Sequence, residues 1–252
     1  MKFNFPLLCI SLGFFLFLNC SANSEIIIEE EVMDNKDDDP QDNQGNTPPK
    51  NITFKLLALG DSYTIGESVC ETCRFPEQLK DSLRLKFDTD TTFTLKVIAR
   101  TGWTTTNLIN AIDAENINND FDLVTLLIGV NNQFQKRPFS LYENEFPQLV
   151  TTAINKAKGD KKSVIVVSIP DYAFTPFGKG DSNISNEIDR YNNFAKNYCN
   201  INNISFVNIT DITRAGLINP NFVASDGLHP SEFAYTKFVE RILPLALNEL
   251  KN

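Results

Sequence analysis

The chain has 252 residues, of which 42% are hydrophobic and 22% charged, and its formal net charge is -9. This length and composition fit one globular domain of about 200 residues once the two ends are set aside. No basic patch appears in the sequence, which argues against nucleic-acid binding because such proteins neutralise phosphates with clustered Lys and Arg.

Residues 1–20 form the first distinct segment. Lys2 is followed by an apolar run that is too short to span a bilayer comfortably and is typical of an export signal. The run ends at Leu18-Asn19-Cys20-Ser21, which resembles a bacterial lipoprotein cleavage site. We expect a lipoprotein-type signal peptide over 1–20, with Cys20 as the lipid-bearing residue of an exported protein anchored in the cell envelope. Departures beside the cysteine leave cleavage by an ordinary signal peptidase open.

A strongly acidic segment follows, and we expect residues 21–50 to form a disordered tether. Between Glu25 and Pro49 there are nine acidic residues and one lysine, so this stretch alone carries a charge of -8. Its few large apolar residues cannot bury enough surface to offset the entropy of folding. The chain from Lys50 onward is close to -2, so the low isoelectric point describes the tether rather than a binding surface.

Three cysteines remain beyond the signal segment, namely Cys70, Cys73 and Cys199. In an exported protein, the short spacing of Cys70 and Cys73 most simply closes a small disulfide loop. A thioredoxin-like redox motif is the alternative interpretation. No metal site is predicted, because no second cysteine pair is present and the chain has a single histidine. We expect Cys199 to be buried and free.

From residue 51 onward, short apolar runs alternate with apolar residues at helical spacing. The predicted strands are 55–59, 93–99, 123–128, 163–169 and 204–209. Helices are predicted between them, followed by a last helix from about Ser231 that is kinked or broken near Pro244. This alternation implies right-handed crossovers and a parallel sheet covered on both faces. We predict an α/β fold over 51–252, a three-layer α/β/α domain of flavodoxin-like type with five parallel strands.

Polar or small residues follow the predicted strands at positions that would meet in space. Ser62, Gly102 and Asn131 each lie three residues beyond one of the first three strands, and Asp226 and His229 precede the last helix. In open parallel sheets the ligand site lies outside the carboxyl ends of the strands. We therefore expect these five residues at one edge of the sheet.

His229 is the only histidine in the chain. Acid-base chemistry by an imidazole near neutral pH would therefore use this residue. Asp226 lies three positions upstream, and Gly227 lets the backbone fold tightly enough for the carboxylate to orient the imidazole. Ser62 would become a nucleophile if this base took its proton. The alternative interpretation of the Asp226–His229 segment is a surface turn.

Four blocks of this chain resemble those of the GDSL, or SGNH, hydrolases. The blocks are Gly60–Thr64, Gly102, Gly129–Asn131 and Asp226–Pro230, each after its expected strand. The resemblance covers the chain from Lys55 onward and implies the SGNH hydrolase fold and cleavage of carboxylic esters through an acyl-enzyme, with no metal or organic cofactor.

The same resemblance assigns roles to individual residues. Ser62 would attack the ester carbonyl, His229 would take and return its proton, and Asp226 would orient the imidazole. The backbone N–H groups of Ser62 and Gly102 and the side-chain amide of Asn131 would form the oxyanion hole.

Two positions depart from the family pattern. Asn132 stands where the family usually has Asp, and we expect the local structure to survive because an amide keeps hydrogen bonds without the charge. Tyr63 stands where Leu is commonest and would pack beneath the nucleophile turn or hydrogen-bond nearby. We expect Asp61 to be a structural cap rather than a catalytic acid.

The sequence specifies the substrate less closely. Trp103, which directly follows Gly102, and Phe134 and Phe174, which follow predicted strands, are candidate pocket residues, because an aromatic ring can hold a sugar or an acyl chain. The alternative interpretation of Trp103 is an aromatic residue of the core or rim. The partner would be an ester of a lipid, an acylated glycan or a small alcohol, with no nucleic acid and no membrane contact beyond the lipid anchor.

Three other functions stay open at this point. The same site could belong to an O-acyltransferase or deacetylase acting on glycans. The chain could also be a non-catalytic surface binding lipoprotein, or a redox protein built on Cys70 and Cys73.

Overall fold

The structure of the protein, a computed structural model, describes residues 52–251. The predicted signal peptide over 1–20, the tether over 21–50 and the lipidation site Cys20 lie outside the described residues.

Five parallel strands form the central sheet, in the order β2-β1-β3-β4-β5. Their bounds are β1 (Ile52–Gly60), β2 (Thr91–Ala99), β3 (Leu123–Leu127), β4 (Val164–Val167) and β5 (Ser205–Val207). This is the strand order of the doubly wound flavodoxin-like architecture, so the predicted fold class is confirmed. Gly60 pairs with Ala99 on one side and with Leu127 on the other, and the first three strands therefore end at the same level.

Helices cover both faces of the sheet. They are α1 (Ser62–Ile65), α2 (Phe75–Arg84), α3 (Thr105–Glu115), α4 (Val130–Phe134), α5 (Phe139–Lys156), α6 (Ser182–Asn202), α7 (Thr210–Thr213) and α8 (Glu232–Leu250). Helices α2 and α8 pack together on one face, whereas α5 packs against α3 and α6 on the other. None of the helices in the described part of the chain has both the length and the apolar character needed to cross a bilayer.

The core forms where apolar strand residues meet the apolar helix faces. Leu56 to Leu59 of β1 and all five residues of β3 are buried, as expected for strands covered on both sides. Ring contacts join α5 to α6, with Tyr142 against Tyr191 and Phe146 against Phe194. The rigid sheet holds the loops that follow each strand.

Of the kink or break predicted near Pro244, the break is absent. Helix α8 runs without a break from Glu232 to Leu250 although Pro244 lies inside it. Ile242 and Ala246 on either side of the proline are fully buried. Burial of this face outweighs the backbone hydrogen bond that the proline cannot donate.

Candidate active site

Ser62 is the first residue of α1 and lies directly beyond the carboxyl end of β1. Asp61 is the N-cap of this helix, and its Oδ1 accepts a hydrogen bond from the backbone N–H of Tyr63 at 3.1 Å. Gly60 is required at the turn because a Cβ there would lie 2.4 Å from the backbone carbonyl oxygen of Leu127. As the first helical residue, Ser62 has a backbone N–H without a partner inside the helix.

Asp226 and His229 lie on the loop that leads into α8, and their side chains meet. Nδ1 of His229 is 2.6 Å from Oδ2 of Asp226. Oδ1 of Asp226 accepts the backbone N–H groups of Leu228 at 2.9 Å and of His229 at 3.0 Å. Gly227 makes this tight turn possible, since its φ of +71° lies in the left-handed region.

The surroundings of Asp226 favour its ionised form. Burial alone would raise the pKa of this carboxyl, but hydrogen bonds from His229, from the backbone of Leu228 and from Ser68 outweigh burial and hold the pKa well below its usual range. An ionised Asp226 requires the proton of the neutral imidazole to sit on Nδ1. Nε2 is then free to accept a proton.

Tyr63, the residue after Ser62 in α1, contacts His229 through its ring. Its ring centroid is 5.2 Å from that of His229, with the rings tilted by 52°. The packing predicted for Tyr63 beneath the turn is therefore a contact with the imidazole. Within residues 52–251, no hydrogen bond joins Oγ of Ser62 to His229, a separation often seen in resting enzymes before substrate binds.

Gly102 and Asn131 lie beyond the ends of β2 and β3. Gly102 has a φ of +83°, and a Cβ there would meet no atom within 4 Å, so its backbone faces open space. Its carbonyl accepts a hydrogen bond from Nε2 of Gln135 at 2.8 Å, which ties this turn to α4. Asn131 is 9% exposed, and its Nδ2 has no hydrogen-bond partner among the described residues. The amide lies close enough to Asp61 to oppose the rise of that carboxyl's pKa, and an acceptor that enters the site would compete with Asp61 for it.

Asp61 is fully buried beside these groups. Burial raises its pKa to about 7, against the opposing hydrogen bond from the backbone of Tyr63 and the nearby amide of Asn131. Its Oδ2 lacks a partner within the described part of the chain. The contacts of Asp61 are those of a helix cap, in agreement with the predicted structural role.

Asn132 keeps the local structure, as we expected from an amide at this position. Its Oδ1 accepts the backbone N–H of Thr105 at 2.9 Å, and its Nδ2 donates to Oγ1 of the same residue at 2.7 Å. That hydroxyl in turn donates to Glu145. The second of these bonds uses a donor that an ionised aspartate does not have.

A cavity of about 660 Å³ opens between α4 and α6. Phe134 lines it and forms an aromatic cluster with Tyr172 and Phe177, at centroid distances of 5.9 and 6.1 Å. Tyr172 also lines the small gap that contains His229. The residues that line the cavity do not include Trp103, which packs against the core, or Phe174.

The cysteines beyond the signal segment are arranged as predicted: Cys70 and Cys73 form a disulfide, and Cys199 is buried and free.

Ser68, between α1 and this disulfide, is a further residue of the site. It donates a hydrogen bond from Oγ to Oδ2 of Asp226 at 2.7 Å. Sequence reasoning did not find Ser68, because its partner lies 158 residues away along the chain.

The fold resembles those of several solved esterases. Esterase EstA from Pseudoalteromonas sp., in a form inhibited by monoethylphosphonate, superposes with a TM-score of 0.57 at 17% identity, over 79% of this chain and 99% of that one. The lipase/acylhydrolase from Enterococcus faecalis gives a TM-score of 0.59 at 19% identity, over 76% and 94%. A variant of Axe2, an acetyl xylan esterase from Geobacillus stearothermophilus, gives 0.58 at 18% identity, over 78% and 97%.

The sequence comparisons give a family but no close relative. No curated protein sequence matches the chain significantly. The model of the GDSL-like lipase/acylhydrolase family matches residues 58–237, which contain all four blocks and almost the whole sheet-and-helix domain. The chain therefore belongs to the GDSL-like lipase/acylhydrolase family.

Proposed function

We propose that this protein is a serine hydrolase that cleaves carboxylic esters through an acyl-enzyme, with Ser62, His229 and Asp226 as its triad. The observation that carries the proposal is the contact of 2.6 Å between His229 and Asp226, at the sheet edge where the Ser62 turn also lies. The low pKa of Asp226 supports it, because an ionised carboxylate fixes the tautomer that a general base needs.

The proposed reaction moves one proton through the imidazole. Nε2 of His229 takes the proton of Oγ of Ser62 as that oxygen attacks the carbonyl, and the tetrahedral intermediate then expels the alcohol, which receives the proton. Water attacks the acyl-enzyme by the same route in reverse, releasing the acid and restoring Ser62. Every step uses side chains of this chain and water, so no metal or organic cofactor enters the scheme.

The negative oxygen of the intermediate would be held by three donors. These are the backbone N–H groups of Ser62 and Gly102 and Nδ2 of Asn131. Nδ2 has no partner of good hydrogen-bond geometry among the described residues, so the one group with which the oxyanion would compete for this donor is the neighbouring carboxyl of Asp61.

We further propose that the alcohol part of the ester is polar and contains a ring, as in an acylated glycan. Tyr172 lines both the gap at His229 and the cavity between α4 and α6. This cavity combines the half-exposed rings of Phe134 and Phe177 with hydrogen-bonding groups such as Glu187 and Arg190. Aromatic faces next to polar groups suit a sugar better than a long acyl chain, which would need a continuous apolar channel.

The test is hydrolysis of p-nitrophenyl acetate, butyrate and octanoate and of acetylated xylo-oligosaccharides. Ser62→Ala and His229→Ala should each lower kcat by about 10³-fold or more. Ser140→Ala, which removes an exposed serine on α5, should change nothing. A Ser62→Ala protein that folds and retains activity would refute the proposed nucleophile. Product analysis with added sugar acceptors separates hydrolysis from acyl transfer.

We also propose that the chain is exported and anchored in the bacterial cell envelope through Cys20. The support comes from the apolar run and the cysteine that ends it. Metabolic labelling with palmitate should tag the wild-type protein but not Cys20→Ser, and the variant should leave the membrane fraction. Equal labelling of both proteins would rule out Cys20 as the modified residue.

A further inference from the structure

Ser68 has a backbone conformation that serine rarely adopts. It lies six residues after Ser62, and its φ of +67° is in the left-handed region. Side chains other than those of Gly, Asn and Asp are uncommon there because Cβ crowds the backbone. Strained residues of this kind persist where the surroundings over-determine them, and they concentrate at functional sites.

The side chain of Ser68 reaches the proposed triad. Its Oγ donates to Oδ2 of Asp226 at 2.7 Å, and the same oxygen lies 2.6 Å from Nδ1 of His229. The other carboxylate oxygen accepts two backbone N–H groups. Ser68 is thus the only side chain besides His229 that hydrogen-bonds to Asp226 within residues 52–251.

The backbone around Ser68 is anchored to the nucleophile turn. The N–H groups of Gly66 and Glu67 both donate to the carbonyl of Ser62, each at 3.0 Å. On the other side of Ser68, the disulfide closes the turn from Cys70 to Cys73. The hydroxyl that contacts Asp226 is therefore carried by a loop whose position is set by Ser62.

We infer that Ser68 is a positioning residue whose hydroxyl holds Oδ2 of Asp226 against Nδ1 of His229 and so couples the acid of the triad to the nucleophile turn. This inference rests on the proposed function, since it assigns a task within that triad. Without the hydroxyl, Oδ2 keeps only the imidazole as a partner, and the carboxylate can turn away from the line to Nδ1.

Two substitutions separate the hydroxyl from the backbone strain. Ser68→Gly removes the hydroxyl but suits the left-handed conformation, so the melting temperature should stay the same or rise while kcat falls about tenfold with KM unchanged. Ser68→Thr keeps the hydroxyl but adds a branch at Cβ, so the melting temperature should fall while kcat stays within about threefold of wild type.

A matched control tests the effect of glycine itself. Asn203 also has a left-handed φ, of +54°, but it is exposed at the end of α6. It precedes the amino end of β5, whereas the candidate site lies beyond the carboxyl ends of the strands. Asn203→Gly should leave kcat unchanged. If Ser68→Gly keeps the wild-type kcat, or if Ser68→Gly and Ser68→Thr lose activity equally, the inference is wrong.

A second measurement does not depend on ester cleavage. Because His229 is the only histidine, the Nδ1–H proton of protein labelled with ¹⁵N-histidine gives one assignable low-field NMR signal. Ser68→Gly should shift or broaden this signal, and Ser68→Thr should preserve it. If no ester is cleaved but the signal changes in this way, the proposed function fails and the positioning by Ser68 stands. A signal that is identical in wild type and Ser68→Gly overturns the positioning.

Discussion

Asp61 and Asp226 both belong to the candidate site, Asp61 beside Ser62 and Asp226 beside His229. Their surroundings differ in burial and in the number of hydrogen bonds to the carboxyl group. Asp61 precedes Ser62, is fully buried, and has one hydrogen bond and one oxygen without a partner in the described part of the chain. Asp226 precedes His229, has a side chain that is 30% exposed, and is held by hydrogen bonds on both oxygens.

The two environments give opposite ionisation behaviour. Burial raises the pKa of Asp61 to about 7, whereas the hydrogen bonds at Asp226 hold its pKa well below the usual range. Desolvation disfavours a charge, and donors around a carboxylate favour it. The donors around each carboxyl therefore decide how readily it ionises, and Asp226 is the one of the two that also hydrogen-bonds to the imidazole.

The largest expected effect separates the two aspartates by activity. Asp226→Asn should lower kcat by about 10³- to 10⁴-fold, because an amide no longer fixes the tautomer of His229. Asp61→Asn should lower kcat by less than about tenfold, since the amide oxygen still caps α1 through Tyr63. Ester hydrolysis by both variants, with folding checked by circular dichroism, measures the contrast. Equal losses would remove the distinction between a cap and an orienting carboxylate.

The next effect concerns stability and follows from the pKa of Asp61. Its pKa is raised from 3.8 to about 7 in the folded state, so folded protein keeps a proton that unfolded protein releases between these values. Stability contributed by this proton is present below pH 4 and is lost as the pH rises to 7, by up to about 4 kcal/mol at about 1.36 kcal/mol per pH unit. Asp226 has the opposite sign, because its lowered pKa stabilises the fold above pH 4 and this contribution is lost as the pH falls.

Urea unfolding at pH 4.5, 6 and 7.5 measures the effect of Asp61. The free energy of unfolding of Asp61→Asn, minus that of wild type, should increase with pH, since the variant has no carboxyl to ionise. Subtracting the two proteins cancels the contributions of all other titrating groups. A difference that stays constant from pH 4.5 to 7.5 would mean that Asp61 is already ionised in the folded state.

The contrast between the two aspartates also shows what the sequence can and cannot predict. The five parallel strands and the positions of Ser62 beyond the first strand and His229 before the last helix follow from apolar periodicity and short-range spacing, which are local properties. The helices α1, α4 and α7 are too short for periodicity to reveal them. Burial of Asp61 and the contact from Ser68 depend on segments that meet only in the folded chain, so no local pattern reports them.

The pocket illustrates the same limit. Phe134, Phe174 and Phe177 all follow strands, and spacing alone cannot tell which ring turns toward the cavity. The structure lines the cavity with Phe134 and Phe177, whereas the carbonyl of Phe174 packs against Gly216. Orientation here is set by tertiary packing around Tyr172, which the two rings contact.

Asn132 is a third buried position, and replacing it by aspartate tests whether a carboxylate there behaves like Asp61 or like Asp226. Asn132→Asp would keep the bond from the N–H of Thr105 but lose the donation to its hydroxyl, which is shared with Glu145. With few donors and no exposure, the site resembles that of Asp61, and the variant should lose about 3 kcal/mol of unfolding free energy at pH 7.5.

Urea unfolding at two pH values checks this expectation. The stability lost by Asn132→Asp should be smaller at pH 4.5 than at pH 7.5, because the new carboxyl is then protonated more fully. Asn132→Ala serves as the control, since it loses both hydrogen bonds without adding a titrating group and should show the same loss at both pH values. If Asn132→Asp is as stable as wild type at pH 7.5, the surroundings of residue 132 stabilise an ionised carboxylate, as those of Asp226 do.

The smallest expected effect tests whether the Asp226 environment depends on the disulfide that follows Ser68. Replacing both Cys70 and Cys73 by serine opens a loop of four residues and should cost about 2 kcal/mol of unfolding free energy. Dithiothreitol should bring the wild-type protein to the same stability and leave the double variant unchanged. The loss should be accompanied by a fall of kcat of a few fold, because the loop that carries Ser68 is less fixed.

Asp61 is buried by the sheet and by α1, so the decrease of stability between pH 4 and 7 should remain in the double variant. If that decrease disappears while kcat is unchanged, the disulfide supports the burial of Asp61 rather than the hydrogen bonds of Asp226, and the two environments are not independent.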